Sequence, residues 1–263
     1  MKLQLKVRGL LDLVSVEKGE IGFMTCAVYD TAWVSMVAKE TNTGKIWLFP
    51  ECFRYVIDSQ LPDGGWPAYA APVDGILNTA ASLLSLKVHQ ASPYQIAEYS
   101  PADLKHRVAS ATQSLRGQLQ TWDVEEAIHV GFELLVPTLL KLLEEQGVSF
   151  KFPGSGLLAN LNESRLSQVK PAYLYSETKL SALHLLEAFV GKLDYDKVRH
   201  HKTYGSYMAS IASTAASLVY SSSWDVESEE YLKWVLAAGE GQGSGGVPSA
   251  FPSTIYEVTW VCS

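Results

Sequence analysis

Three acidic residues stand close together in the sequence and could take part in chemistry. Asp123, Glu125 and Glu126 all lie within the stretch 122–129. Carboxylate oxygens are ligands that Mg²⁺ prefers, and one or two of them commonly act together with a phosphate group. The same residues also suit the start of a helix, because aspartate is a good N-cap and early glutamates favour the helix dipole. The residue types alone leave both interpretations open.

A basic run and two loops are weaker candidates for binding an anion. The run Arg-His-His-Lys at 199–202 could meet a phosphate group, although such runs more often form a solvated helix end. The serines at 221–223 and the glycine-rich stretch 239–246 could cradle a phosphate. No strand precedes them and no Gly-Lys-Ser/Thr follows, so a P-loop is excluded.

The three cysteines do not form a recognisable site. Cys26, Cys52 and Cys262 are odd in number, far apart and without a Cys-x-x-Cys pair, which argues against a disulfide framework or a thiolate zinc site. The start of the chain, 1–8, mixes charges with leucines and lacks the apolar core of a secretory signal. We therefore expect a reduced, cytoplasmic protein.

Composition limits the classes of protein that are possible. The 263 residues are 47% hydrophobic and 19% charged, with 7 Trp, 13 Tyr and 8 Phe, enough for a sizeable core. The net charge of −7 argues against a nucleic-acid surface, which needs clustered Lys and Arg. Because no apolar run reaches about 18 residues, no transmembrane segment is expected.

Apolar spacing and Gly/Pro turns predict an all-α fold without a convincing strand. Pro137 should kink the longest helix. The predicted helices are 3–14, 29–38, 50–61, 79–89, 102–120, 123–146, 157–166, 176–190, 214–220 and 226–239.

One unit occurs twice and suggests how the helices are arranged. Asp63-Gly-Gly-Trp66 precedes Thr79-Ala-Ala-Ser-Leu-Leu84, and Tyr204-Gly-Ser-Tyr207 precedes Thr214-Ala-Ala-Ser-Leu-Val219. In both, a glycine-plus-aromatic turn is followed by a helix of small residues that permits close packing. A recurring unit of this kind predicts an α/α barrel of helical hairpins.

An ordered set of short motifs resembles the class II diterpene cyclases of the copalyl diphosphate and kaurene synthase type, most of all their fungal bifunctional branch. Within these motifs we expect structural roles for Tyr29, Asp30, Trp33, Gln60, Asp63, Gly64 and Trp66. The motifs are Tyr29-Asp-Thr-Ala-Trp-Val-Ser-Met-Val37, Trp47-Leu-Phe-Pro-Glu-Cys52, Gln60-Leu-Pro-Asp-Gly-Gly-Trp66, Leu77-Asn-Thr-Ala-Ala81, Gly131-Phe-Glu133 with Pro137, Gly205-Ser-Tyr207, Ser213-Thr-Ala215, and Gly245-Gly-Val-Pro248 with Phe251-Pro252.

The resemblance implies two α/α-barrel domains, called β and γ, with γ inserted after the first helices of β. On this pattern, residues 1–44 are the first β segment, 45–255 the γ barrel, and 256–263 the start of the return into β. The chain would then be the N-terminal part of such an enzyme. Residues 1–40 should carry apolar faces that await β helices.

The resemblance also implies a reaction, the cyclisation of geranylgeranyl diphosphate to a copalyl diphosphate. Protonating an alkene requires a strong, positioned carboxylic acid, which the family supplies as Asp-x-Asp-Asp. That motif is absent: Asp194-Tyr-Asp196 comes nearest, but Lys197 follows it. The class I motif Asp-Asp-x-x-Asp is absent too. We therefore expect no catalytic residue here, and activity only with the remainder of the β domain.

The family carries an acidic cluster before its Gly-Phe-Glu helix that is thought to hold Mg²⁺ against the substrate diphosphate. By resemblance, Asp123, Glu125 and Glu126 would bind the Mg²⁺–diphosphate, with Asp123 and Glu126 on the metal. The alternative is a non-catalytic barrel that binds a prenyl diphosphate or a protein partner. A prenyltransferase β subunit shares the barrel, but the cysteine spacing does not support its zinc set.

Overall fold

The computed structural model describes residues 25–92, 98–127, 130–238 and 244–252. Within them the chain is mainly helical. The α-helices are α1 (Val28–Ser35), α2 (Pro50–Asp58), α3 (Pro72–Ala91), α4 (Pro101–Thr121), α5 (Phe132–Glu145), α6 (Ser155–Gln168), α7 (Ile211–Tyr220) and α8 (Val226–Ala238). Three 3₁₀ segments, Pro171–Tyr175, Ser181–Phe189 and Tyr195–His201, connect α6 to α7.

Prolines and serines fix where several helices begin. Pro50, Pro72 and Pro101 each occupy the first turn of a helix, where a missing N–H costs nothing. Ser100 Oγ accepts a hydrogen bond from Asp103 N at 3.1 Å and so caps α4. These local signals explain why the predicted starts of α2 and α4 agree with the structure to within a residue.

A short β-hairpin contradicts the expectation that no strand is present. Strand β1 (Ala38–Thr41) pairs antiparallel with β2 (Gly44–Trp47). Most of its residues are at least partly exposed, so it lacks the apolar alternation of a half-buried strand. Lys39 Nζ lies 2.6 Å from Glu229 Oε2, which attaches the hairpin to α8.

Helix α1 lies in the middle of the core. Seven of its eight residues are buried, and it packs against α2, α3 and α7. Ser35 Oγ lies 2.7 Å from Ser85 Oγ of α3, and Asp30 Oδ1 accepts a hydrogen bond from Ala212 N of α7. For residues 25–40, the prediction of apolar faces awaiting other helices is therefore wrong, because these faces are already covered. Residues 1–24 lie outside the described part.

The duplicated unit has the same hydrogen bond in both copies. Trp66 N donates to Thr79 Oγ1 at 3.2 Å, and Tyr207 N donates to Thr214 Oγ1 at 3.4 Å. In each copy the aromatic turn is thus pinned to the first threonine of the small-residue sequence, in α3 or α7. The sequence echo therefore reflects a repeated structural unit.

The turn glycines complete the repeat. Gly64 has φ +87° and Gly205 has φ +79°, both in the left-handed region that favours glycine. A Cβ at Gly64 would collide with the backbone of Ser110 in α4, and one at Gly205 with the backbone of Glu227 in α8. Each turn therefore also packs against the second helix of its unit, α4 or α8. The repeated unit is a turn plus a helical hairpin, α3–α4 or α7–α8.

The predicted helix 176–190 is replaced by the 3₁₀ segment Ser181–Phe189. Leu185 interrupts it with φ −133° and ψ 37°. The leucines had suggested a continuous amphipathic helix. Instead, the segment bends so that Leu183, Leu186 and Phe189 reach the core on both sides of the break.

Candidate functional site: an acidic turn beside a groove

The three acidic residues lie on a turn between α4 and α5, not on a helix. Helix α5 begins at Phe132, and Gly131 at its N-cap has φ +100°. Asp123 Oδ1 instead accepts a hydrogen bond from Glu125 N at 2.9 Å, closing a local turn. The predicted start at residue 123, with Asp123 as its N-cap and Glu125 and Glu126 in its first turn, is therefore wrong.

Buried neighbours hold this turn in place. Trp122 packs edge-on against Phe132 and stacks on Phe152, with ring centroids 5.7 and 6.4 Å apart. Val124 is buried next to Gly154, where a Cβ would come within 2.5 Å of Val124 Cγ2. Because its apolar side chains point inward, the acidic side chains of the turn are left exposed.

A groove of about 430 Å³ opens beside the turn, between the start of α5 and the length of α6. Glu125, Glu133 and Arg165 are its charged lining residues. Arg165 Nε lies 3.2 Å from Glu133 Oε1, and Glu133 Oε2 accepts a hydrogen bond from Gly131 N at 2.9 Å. Glu133 thus supports the start of α5 and holds Arg165 at the same time.

Pro137 explains why α6 docks at this place. Helix α5 is continuous across Pro137, but proline has no N–H, so the carbonyl of Glu133 four residues earlier loses its helical donor. Asn162 Nδ2 of α6 donates to that carbonyl at 2.7 Å. The side chain therefore satisfies the carbonyl that lacks a helical donor and places Arg165, one turn further along α6, at the groove.

The arrangement does not by itself make a metal site. Within the described part of the chain, no three His, Cys, Asp or Glu residues converge closely enough to hold a metal ion. One oxygen of Asp123 already accepts a backbone hydrogen bond, and the three acids are exposed to solvent. Mg²⁺ commonly binds one or two carboxylates and takes its other ligands from water and phosphate, so the site expected at Asp123 and Glu126 stays a prediction.

The sequence is similar to parts of known fungal enzymes. No protein-family model matches it. A copalyl diphosphate synthase of Talaromyces verruculosus is 51% identical over 257 residues, which is 98% of this chain and 27% of that protein. A pimaradiene synthase of Emericella nidulans is 52% identical over 96% of this chain and 26% of its own length. The chain is related to the fungal diterpene cyclases. It spans about a quarter of the length of these relatives.

Solved structures of class II diterpene cyclases share the fold. The ent-copalyl diphosphate synthase of Arabidopsis thaliana superposes with a TM-score of 0.72 at 22% identity, covering 97% of this chain and 35% of that one. The Streptomyces platensis ent-copalyl diphosphate synthase gives a TM-score of 0.70 at 22% identity over 97% of this chain and 50% of its own. The predicted helical barrel of a terpene cyclase is thereby confirmed.

The motif at 29–37 contributes to a buried acidic cluster. Tyr29 OH donates to Glu187 Oε1 at 3.3 Å, and Ser213 Oγ donates to Glu187 Oε2 at 2.8 Å. Burial raises the pKa of Glu187 to about 7. Burial, and then the charge of Glu187, also raise the pKa of Asp30 well above its usual range. Trp33 is fully buried in the same helix.

Sequence reasoning missed Glu187. The only signal was a single charged residue in the apolar run Leu185-Leu-Glu-Ala-Phe-Val190. A lone acid in such a run is rarely buried without a partner. Its partners, Tyr29 and Ser213, are 158 and 26 residues away in sequence, so spacing could not reveal them.

The second cyclase motif builds a turn. Gln60 Nε2 donates to the carbonyl of Gly64 at 3.0 Å, and Gly65 N donates to Asp63 Oδ1 at 3.0 Å. Trp66 Nε1 donates to the carbonyl of Val56 at 2.9 Å, which anchors the turn to α2. These contacts are those of structural residues.

The basic run 199–202 is already neutralised within the protein. Lys202 Nζ contacts Asp225 at 2.6 Å and Glu227 at 2.8 Å. Arg199 pairs with Asp196 at 2.8 Å, and His201 is buried with Nε2 2.9 Å from the carbonyl of Leu174. The run therefore does not present an open anion site.

The cysteines and the glycine-rich stretch lie in other parts of the chain. Among the described residues, neither Cys26 nor Cys52 forms a disulfide, and Cys262 lies outside the described residues. The glycine-rich stretch is described only from Ser244 onward. Among the described helices, none is both long and apolar enough to cross a membrane.

Proposed function

We propose that this segment is part of a class II diterpene cyclase that converts geranylgeranyl diphosphate to a copalyl diphosphate. Its own contribution is to bind the diphosphate group. The observation that supports this most is the 51% identity to a copalyl diphosphate synthase across 98% of the chain. The proposed division is unchanged: 1–44 in β, 45–255 as the γ barrel, and 256–263 returning to β.

The proton donor comes from the rest of the β domain in this proposal. The sequence contains no Asp-x-Asp-Asp. Asp30 and Glu187 are acids with raised pKa, but both are buried in the core and neither lines the groove. A donor must come within hydrogen-bond reach of the atom that it protonates. These two residues are therefore structural.

The acidic turn gives the segment its role in binding. A diphosphate is a strong anion, and the exposed carboxylates Asp123, Glu125 and Glu126 would repel it in the absence of a cation. Mg²⁺ suits this combination, since it binds one or two carboxylates together with phosphate oxygens. We propose that the substrate arrives as its Mg²⁺ complex and that Asp123 and Glu126 face the ion.

A chimera tests the proposal directly. The chain would replace the matching quarter of the Talaromyces verruculosus copalyl diphosphate synthase, and the purified chimera would be incubated with geranylgeranyl diphosphate and Mg²⁺. After phosphatase treatment, gas chromatography with mass spectrometry should show copalol. A soluble, folded chimera that yields no bicyclic alcohol, while the parent enzyme does, would refute the proposed function.

Two comparisons sharpen the result. The chain alone should yield no bicyclic product, since it lacks the acid; product from the chain alone would overturn that part of the proposal. In the chimera, Asp123→Asn with Glu126→Gln should raise the KM for geranylgeranyl diphosphate. The matched control Glu163→Gln, on an exposed part of α6, should leave KM unchanged.

A further inference from the structure

We infer that Arg165 is the residue that binds the phosphoryl oxygens of a diphosphate in the groove between α5 and α6, and that Glu133 holds it ready until the ligand arrives. The inference rests on the proposed function, because that function supplies the diphosphate. It assigns the anion-binding role to a side chain outside every motif that carried the resemblance.

Arg165 has the donors that such a role requires. A guanidinium has five N–H donors in a planar fork that matches phosphate oxygens. Nε faces Glu133 Oε1 at 3.2 Å, and Nη1 donates to Gln168 Oε1 at 3.4 Å. Within the described residues, Nη2 has no hydrogen-bond partner. The side chain is 39% exposed, so a ligand in the groove can reach the fork.

The contact between α6 and α5 fixes the position of Arg165. Asn162 donates to the carbonyl that Pro137 leaves without a helical partner, and this bond locks α6 against α5. Arg165 follows three residues later, on the same face of the helix. The packing of α6 on α5 therefore fixes where the guanidinium lies in the groove.

The charges around the groove define the ligand. Among the described residues that line the groove, Arg165 is the only cationic one, whereas Glu125 and Glu133 are both acidic. A free anion would meet this excess of carboxylates, but an anion that carries a divalent cation would meet complementary charge on both sides. The groove thus fits a metal–diphosphate complex better than free phosphate or free diphosphate.

Glu133 is the internal competitor for the fork. In the free protein it neutralises Arg165 and keeps the guanidinium oriented. Its second oxygen is bound to Gly131 N, so Glu133 stays in place when a ligand takes over the other contacts of Arg165. Binding therefore requires a shift of the arginine fork and no movement of the backbone.

Isothermal titration of the 263-residue chain with inorganic pyrophosphate, in the presence and absence of Mg²⁺, tests the inference. Arg165→Gln should weaken binding of Mg²⁺–pyrophosphate by about tenfold or more, the effect of losing a charged hydrogen-bond donor. Arg165→Lys should fall between wild type and Arg165→Gln, because the charge remains but the fork is lost. Circular dichroism melts would show that each variant is folded.

Arg116→Gln is the matched control, since Arg116 is an exposed helical arginine that also contacts a glutamine, Gln113, but lies on α4 away from the groove. It should bind as the wild type does. Equal affinities for Arg165→Gln and wild type would overturn the inference. So would an equal loss in Arg116→Gln, which would indicate non-specific charge attraction.

The experiments distinguish a failure of the Arg165 assignment from a failure of the proposed function. If the wild-type chain binds Mg²⁺–pyrophosphate and the Arg165 variants bind it with the same affinity, the binding role stands and the assignment of Arg165 fails. If the wild-type chain does not bind it at all, both the binding role and the inference fail, while product from the chimera would still support membership of a cyclase. An inactive, folded chimera would reject the function itself.

Discussion

Replacing Glu187 with glutamine should remove the share that Glu187 contributes to a pH dependence of stability built into the core. Glu187 is 2% exposed and is held by Tyr29 and Ser213, and among the groups that act on its pKa there is no cation. Asp30 lies close enough for the charge of Glu187 to raise its pKa. Two acids in one buried cluster are costly to ionise together.

The size of the effect follows from the two pKa values. Burial raises the pKa of Glu187 from 4.5 to about 7. This difference corresponds to about 3 kcal/mol of unfolding free energy. Because the folded pKa is the higher one, the stability is fully present below the unfolded value and is lost as pH rises towards 7. Above that pH both states are ionised, and the loss is complete.

The assay is urea unfolding of wild type and Glu187→Gln from about pH 4 to about pH 8. The wild type should lose about 3 kcal/mol relative to the variant across this range, since glutamine does not ionise. Glu163→Gln, which removes an exposed carboxylate, serves as the control and should follow the wild type. A constant difference between wild type and Glu187→Gln at every pH would refute the reasoning.

Three further predictions concern separate parts of the chain. Gly64→Ala should lower the melting temperature sharply, because Gly64 has φ +87° and the new Cβ would collide with the backbone of the neighbouring helix. Gly117→Ala, whose Cβ would have no atom within 4 Å, should leave the melting temperature unchanged or raise it. Burial lowers the pKa of His89 to about 3, so its imidazole signals should stay those of the neutral ring down to about pH 4 in an NMR titration; a midpoint near pH 6.5 would contradict this. Glu133→Gln should lessen the Mg²⁺ dependence of pyrophosphate binding by freeing Arg165; an unchanged dependence in titration calorimetry would count against the competition.

The helices and the repeated unit could be predicted because their signals are local. A proline at 50 or 101, a glycine with an aromatic residue in a turn, and a run of small residues each act within a few positions. The repeat was visible for the same reason, since its pinning bond joins residues 13 apart in one copy and 7 apart in the other. Interactions between residues that are close in sequence can be recognised from the sequence pattern.

The site could not be predicted in the same way. Asp123 has the residue type of an N-cap, but Val124 and Trp122 are drawn into the core, and the chain needs several more residues before Gly131 can start α5. The position of Arg165 depends on a carbonyl that Pro137 orphans and on a partner 29 residues away from that carbonyl. Tertiary packing decides such positions, and the local pattern does not record it.

The residues that match the relatives' motifs and the residues that could contact a substrate are different sets. Sequence similarity at the first set therefore does not determine the ligand. Asp30, Trp33 and Trp66 are buried, and their contacts hold helices together, so their presence implies the fold. The acidic turn and Arg165 are solvent-accessible, and the charge of Arg165 is paired only with Glu133 at the groove among the described residues. Matching core residues therefore carry the barrel from one relative to another, whereas the ligand depends on the side chains at the groove, Arg165 and the acidic turn.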